Sequence, residues 1–285
     1  MIGNRVESLP HVQAALNYLV PTGEKPVTYA YEPPAGAPWS NVESEPHEEP
    51  IYDLRPVAAE FSLDTAGFQF VAHKSEVGNF WDEDEIRRVY YPESIALLKR
   101  VTGASEVRVF DHTLRRRVDH VENDRRGDLP RQPAIRVHVD QTETSGVSRL
   151  KFLYPDEADS LIARRVAIVN LWRPIRAPAI DFPLAVCDAR TVARRDLVAS
   201  DLLFRERRGE TYNVVYNPAH RWFYASDMRP DEVLLLKCFD SRDDVARFAP
   251  HTAFANPTAP ADAPPRESIE LRTYVIYDEG RTALH

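Results

Sequence analysis

The feature that most narrows the possible folds is a change, near Ala104, to apolar residues at every second position. In SEVRVFDHTLR, Val107 and Val109 alternate with Arg108, and in AIRVHVDQT, Ile135, Val137 and Val139 alternate with Arg136, His138 and Asp140. A period of two marks a strand with one buried face. Further strand candidates are RVAIVNLWRPI, PLAVCDA, TYNVVYN, RWFYAS, EVLLLKCFDS and SIELRTYVIYD, with NPAH read as a hairpin connection between two of them. The chain carries 23 Pro against 10 Gly, which suits short strands and loops better than long helices. The expected fold is therefore mainly β, a barrel or sandwich with flanking helices.

Helix is expected in two places. DEDEIRRVYYPESIALLKRV, over about residues 82–102, gathers Ile86, Val89, Tyr90, Ile95, Leu97 and Leu98 largely on one side, with acids at its start and bases at its end; both are helical signals. Pro92 and Glu93 are expected to divide it in two. DEADSLIARR reads as a short helix. Residues 20–50, rich in Pro and acids and without periodicity, read as an extended surface arm. The expected organisation is an N-terminal arm over 1–50 and a single domain over 51–285.

Lys plus Arg number 36 and Asp plus Glu 44, a net charge of −8, which argues against a dedicated nucleic-acid partner. No run of eighteen apolar residues occurs, and MIGNRVESLPHVQ lacks the pattern of a secretory signal. A soluble, cytoplasmic chain without membrane attachment is expected. Cys187 and Cys238 each lie in an apolar run and are expected to be buried thiols, not a paired metal site.

The sharpest chemical feature is His138-Val139-Asp140. Residues i and i+2 of a strand project from the same face, so an imidazole and a carboxylate stand side by side. Two His and one carboxylate, with the opposite face open, form a facial iron(II) site; the third ligand must come from a distant strand. His251 is the candidate and His220, in NPAHRWFY, the rival. Fifteen residues beyond His251 comes Arg266-Glu267-Ser268, which presents a planar cation and a hydroxyl on one strand face, a pair suited to a carboxylate. Arg272 shares that parity and competes for the same role.

The arrangement H-x-D … H … R-x-S resembles the iron(II)/2-oxoglutarate-dependent dioxygenase superfamily. More narrowly, IYDLRP, LDTAGFQF, YYPESIALLKRVTGASEVRVFDHTLRRR, RVHVDQT, VNLWRPI, GETYNVVYNPAHRWFYASDM, APHTAF and PRESIELR resemble the hydroxylase/desaturase family of fungal and bacterial secondary metabolism that includes the fungal gibberellin desaturase. The resemblance runs from about residue 50 to 275. It implies a double-stranded β-helix core (jelly roll, cupin-like), iron(II) on His138, Asp140 and His251, and 2-oxoglutarate anchored by Arg266 with Ser268. The proline-rich insertion ANPTAPADAPP before Arg266 keeps Arg272 open as the anchor. With dioxygen, such an enzyme hydroxylates, desaturates or cyclises a small-molecule natural-product intermediate. The alternatives are an iron oxidase with the same triad and no 2-oxoglutarate, or a non-catalytic small-molecule-binding barrel.

Four more residues are candidates for substrate contact. Trp172 suits the core or pocket wall, whereas Arg173 is costly to bury without a partner and is expected to meet a carboxylate of substrate or cosubstrate. His112 is expected at the sheet edge, packing or touching substrate. His220, if not a ligand, is structural or substrate-facing. Arg115, Arg116, Arg117, Arg125, Arg126 and Arg131 form a basic run expected as a solvated loop, placed where it would cover a pocket mouth and select acidic substrates.

Overall fold

The computed structural model describes residues 6–118 and 131–280; Arg125 and Arg126 of the basic run lie outside them. The strands are β1 (His11–Leu19), β2 (Val27–Tyr29), β3 (Ser44–Asp53), β4 (Phe68–Ala72), β5 (Glu106–Arg116), β6 (His138–Val139), β7 (Arg164–Pro174), β8 (Leu184–Cys187), β9 (Leu197–Leu203), β10 (Arg208–Val214), β11 (Trp222–Tyr224), β12 (Glu232–Asp240), β13 (His251–Ala253) and β14 (Glu267–Gly280). Helices α1 (Glu83–Glu85) and α2 (Tyr91–Thr102) precede β5, and α3 (Glu143–Leu153) and α4 (Ala158–Ile162) follow β6. The strands form a nine-stranded sheet in the order β1-β3-β11-β8-β13-β6-β10-β9-β2 and a five-stranded sheet in the order β4-β12-β7-β14-β5. The architecture is that of a jelly roll, as expected.

Alternation along β7 shows how the layers are divided. Val166 and Ile168 point inward and share a core with Val139 and Tyr212 of the opposite sheet. Ala167, Val169 and Leu171 point outward and pack with Ile86, Leu97 and Leu98 of the helical segment. The five-stranded sheet is thus buried on both faces, which is why its strands read as nearly unbroken apolar runs.

Several expectations are corrected. The N-terminal segment is not an arm. Strand β1 pairs antiparallel with β3 from His11 opposite Tyr52 to Leu19 opposite Ser44, β3 runs parallel to β11, and β2 pairs with β9 at the far edge. The boundary expected at residue 50 falls inside β3. HVQAALNYL does alternate, with Val12, Ala14, Leu16 and Tyr18 buried, but the proline-rich stretch after it masks the pattern. NPAH is not a hairpin: β10 pairs with β6 and β9, β11 with β3 and β8. Nor does Pro92 divide the helical segment. A π-helical turn at Ile86–Tyr90 bridges α1 and α2, so the chain stays helical through Pro92, in the turn that follows it. Among the described residues no helix is long and apolar enough to cross a membrane.

Helix α3, missed at the sequence level, starts three residues after Asp140. Thr142 caps it with a reciprocal capping box to Ser145. It is pressed onto the five-stranded sheet at Gly146, whose carbonyl accepts from the Tyr274 hydroxyl at 2.8 Å. A Cβ at Gly146 would stand 2.5 Å from the Phe239 ring. In an exposed helix Gly→Ala stabilises by about 1 kcal/mol; here overpacking costs about 1–3 kcal/mol and wins. Gly146→Ala is therefore expected to lower stability in denaturant unfolding, and a gain in stability would contradict this packing.

Candidate metal centre and its two cavities

His138 lies on β6 and His251 on β13, directly opposite each other across an antiparallel ladder; Asp140 follows two residues after His138. A ligand atom from each of the three falls within 4.8 Å of the others. The two rings are held alike. Nδ1 of His138 donates to the Arg136 carbonyl at 2.7 Å, and Nδ1 of His251 to the Ala249 carbonyl at 3.0 Å. A carbonyl can only accept, so each Nδ1 carries the proton and each Nε2 offers a lone pair to the centre. Burial, with His138 beside it, pushes the His251 pKa down and keeps the ring neutral, as ligation requires.

Asp140 is fixed through one oxygen. Its Oδ2 accepts from Arg272 Nε at 2.8 Å and from Asn170 Nδ2 at 2.9 Å, while Oδ1 faces His138 Nε2 at 3.4 Å. Burial alone would raise its pKa, but the Arg272 guanidinium outweighs it and holds the carboxyl well below the usual range. The set is thus two neutral imidazoles and one ionised carboxylate, on side chains whose far atoms are already engaged. It fits a divalent ion with open positions.

Arg272 spends its donors on protein. Besides Asp140 it reaches Asp111 at 3.1 Å, Thr113 at 2.9 Å and Glu270 at 2.6 Å. Arg266 is less committed. Its Nε donates to Ser268 Oγ at 3.1 Å and one terminal nitrogen to the Phe182 carbonyl at 2.9 Å; its plane lies 4.8 Å from the Trp172 ring centroid. The other terminal nitrogen has no partner among the described residues. Burial, with Arg115 nearby, pulls the Arg266 pKa down to about 9, the mark of a cation short of counter-charge.

Two cavities meet at the triad. A narrow cleft of about 20 Å³ is lined by His138, His251, Trp172, Arg266, Arg115 and Glu270, among others. It has room for roughly one water, so a diacid enters only if lining side chains give way. The larger cavity, about 520 Å³, reaches Asp140 and Arg272 and is bordered by His112, Phe110 and residues of α3 and the β9–β10 hairpin.

The remaining candidates divide. Trp172 and His112 border the cleft and the larger cavity respectively; His112 Nε2 donates to Glu83 at 3.1 Å, leaving Nδ1 to accept from the Tyr91 hydroxyl at 2.9 Å. Arg173 is not brought to the site. As an outward residue of β7 it lies over Tyr90 at 5.1 Å and donates to His73 Nδ1 at 2.6 Å and the His73 carbonyl at 3.0 Å, away from both cavities. His220 borders neither cavity; it is buried between the Tyr18 hydroxyl at 3.2 Å and Asp196 at 3.3 Å. Nor is Arg115 in a solvated loop: it sits on β5 and binds the Gln132 carbonyl at 2.7 Å. Asn170 and Glu270 were missed. Glu270 was legible, since Arg266, Ser268, Glu270 and Arg272 occupy successive inward positions of one strand.

A family model described as an oxidoreductase/YMDC permease-like domain matches residues 16–276. The hydroxylase/desaturase efuI of Hormonema carpetanum is 37% identical over 249 residues, covering 80% of this chain and 83% of its own. The Fe(II)/2-oxoglutarate-dependent dioxygenase nvfI of Aspergillus novofumigatus is 34% identical over 255 residues, covering 87% and 90%. A solved structure, the iron and alpha-ketoglutarate-dependent endoperoxidase NvfI, superposes with a TM-score of 0.84 at 31% identity over 95% of this chain and 99% of that one.

Replacing Arg272 with Gln removes the cation that clamps Asp140 and Glu270 together. Breaking such a pair is expected to cost about 3 kcal/mol at pH 8. In the wild type the depressed Asp140 pKa gives stability that is lost as pH falls; in the variant burial acts on the Asp140 carboxyl unopposed by Arg272, and protonation relieves it. The deficit should therefore shrink between pH 8 and pH 5 in denaturant unfolding, and a deficit independent of pH would contradict the clamp.

Proposed function

The chain belongs to the iron(II)/2-oxoglutarate-dependent dioxygenases, in their hydroxylase/desaturase family, and from that premise we propose that His138, Asp140 and His251 hold the ferrous ion and that Arg266 with Ser268 anchors 2-oxoglutarate. The enzyme acts on a small molecule; the proposed substrate is a natural-product intermediate that is hydroxylated, desaturated or cyclised. The observation that carries this reading is the orientation of the three ligands: both Nδ1 atoms tied to carbonyls and one carboxylate oxygen clamped, so the remaining atoms converge without rearrangement.

When bound, iron, 2-oxoglutarate and dioxygen together supply an oxidant able to break an unactivated C–H bond. The chain's part is placement. Arg266 offers a nitrogen without a partner among the described residues and Ser268 a hydroxyl on the same face; together they suit the far carboxylate of a diacid. Arg272 is a poor anchor because Asp140, Asp111, Thr113 and Glu270 engage it. Arg115, across the cleft, is the side chain whose movement would make room. A cytoplasmic location is part of the proposal, supported by two buried free thiols, and the acidic charge favours a small-molecule role over nucleic acid.

His138→Ala and His251→Ala are each expected to abolish iron-dependent succinate formation. Arg266→Ala should raise the 2-oxoglutarate concentration needed by about ten- to a hundredfold, the range of a lost charge-assisted contact. Wild-type succinate formation in either His variant would overturn the ligand assignment, and an unchanged requirement in Arg266→Ala would overturn the anchor.

A further inference from the structure

Among the described residues, the larger cavity is lined by more arginines than its carboxylates answer. Of its lining carboxylates, Asp140 is clamped by Arg272 and Asn170, and Glu210 is held by Lys25 at 2.9 Å and Thr142 at 2.7 Å. Asp111 is already engaged by Arg272. Against these stand Arg149, from α3, and Arg207, from the turn between β9 and β10. Among the described residues, the nearest acid to Arg149 is Asp111, at 3.8 Å. Arg207 has no carboxylate partner among the described residues; its guanidinium lies on the Phe204 ring, 3.6 Å from the centroid. Burial, followed by repulsion from Arg149, pushes the Arg207 pKa down.

The same walls are aromatic. Arg149 lies 5.6 Å from the ring centroids of both Phe110 and Phe152, and Phe152 is 56% exposed, an uncommon state for a Phe unless something covers it. The volume of about 520 Å³ falls in the range of small-ligand sites. Contact with the Phe204 ring restrains the planar Arg207 cation, so less freedom is lost when it binds an anion.

We infer that this cavity takes an amphiphilic carboxylic acid, its apolar body against Phe110, Phe152 and Phe204 and its carboxylate on Arg149 and Arg207, with the opposite end reaching the Asp140 side of the metal centre. The inference rests on the oxygenase reading for what happens to the ligand, but not for its binding.

The test uses the full chain loaded with Mn(II) and 2-oxoglutarate, so that nothing turns over, and two fluorescent probes that differ only in their head group, 1-pyrenebutyrate and 1-pyrenebutanol. The acid is expected to bind at least about tenfold more tightly than the alcohol at low salt, with the preference shrinking as salt is added. Arg149→Gln and Arg207→Gln should each weaken the acid about five- to tenfold and leave the alcohol within about twofold, which also reports that the variants keep the cavity. Equal affinity for the two probes, no binding of either at about millimolar concentration, or a preference that survives in the double variant overturns the inference. Succinate formation by the iron-loaded wild type separates the two readings. A protein that prefers the acid but makes no succinate keeps this site and loses the oxygenase; one that makes succinate without the preference loses only this site.

Discussion

One guanidinium joins the two sheets where the chemistry is gathered. Arg272 rises from β14 in the five-stranded sheet and grips Asp140, which follows β6 in the nine-stranded one, while holding Glu270 on its own strand and Asp111 and Thr113 on β5. Strand β6 has only two residues, too few for backbone pairing alone to fix the carboxylate that follows it. The side-chain clamp supplies the missing restraint. Asn170 reinforces it by bonding Asp140 and Glu270 together, so two acids are held side by side around a shared cation.

The two imidazoles are placed by a different and more local means. Each bonds a carbonyl two residues before its own position, so ring orientation is written into the strand and its immediate approach. Only their mutual distance depends on the sheet, through the ladder that sets His251 opposite His138. The centre therefore combines two locally aimed ligands with one aimed across the core. That division also separates the surroundings: the rings border the narrow cleft with Arg266, and the carboxylate borders the wider cavity.

Much of this was legible in the residues. Period-two alternation located β5, near-continuous apolar runs located β7 and β12, and i,i+2 parity placed His138 beside Asp140. The same parity rule sorts β7, since Trp172 and Arg173 must face opposite ways. Trp172 meets Arg266, while Arg173 is absorbed by Tyr90 and His73; the burial cost that drew attention to Arg173 is met by partners far off in the chain. Strand β1 escaped because its alternation sits next to a proline-rich stretch, and α3 because its Gly146 reads as a helix breaker when it is a contact point for Phe239. His220 attracted notice as a lone imidazole in a turn, yet the turn folds inward onto Tyr18 and Asp196. Which arginine is less engaged, 266 or 272, is a matter of partners contributed by segments far apart in the chain, and no local pattern carries it.

The spacing of those two arginines bears on how such a chain can change over generations. They share the parity of one extended segment, Arg266 just before β14 and Arg272 within it, so position alone qualifies either for the other's task after a chance loss. But position 272 is already the hub of a charge cluster, and releasing it would unseat the acid it steadies. Descendants of this sequence that lose the first arginine are thus unlikely to be rescued by the second; a replacement would have to arise elsewhere on the cleft wall, and Arg115 is the cation already standing there.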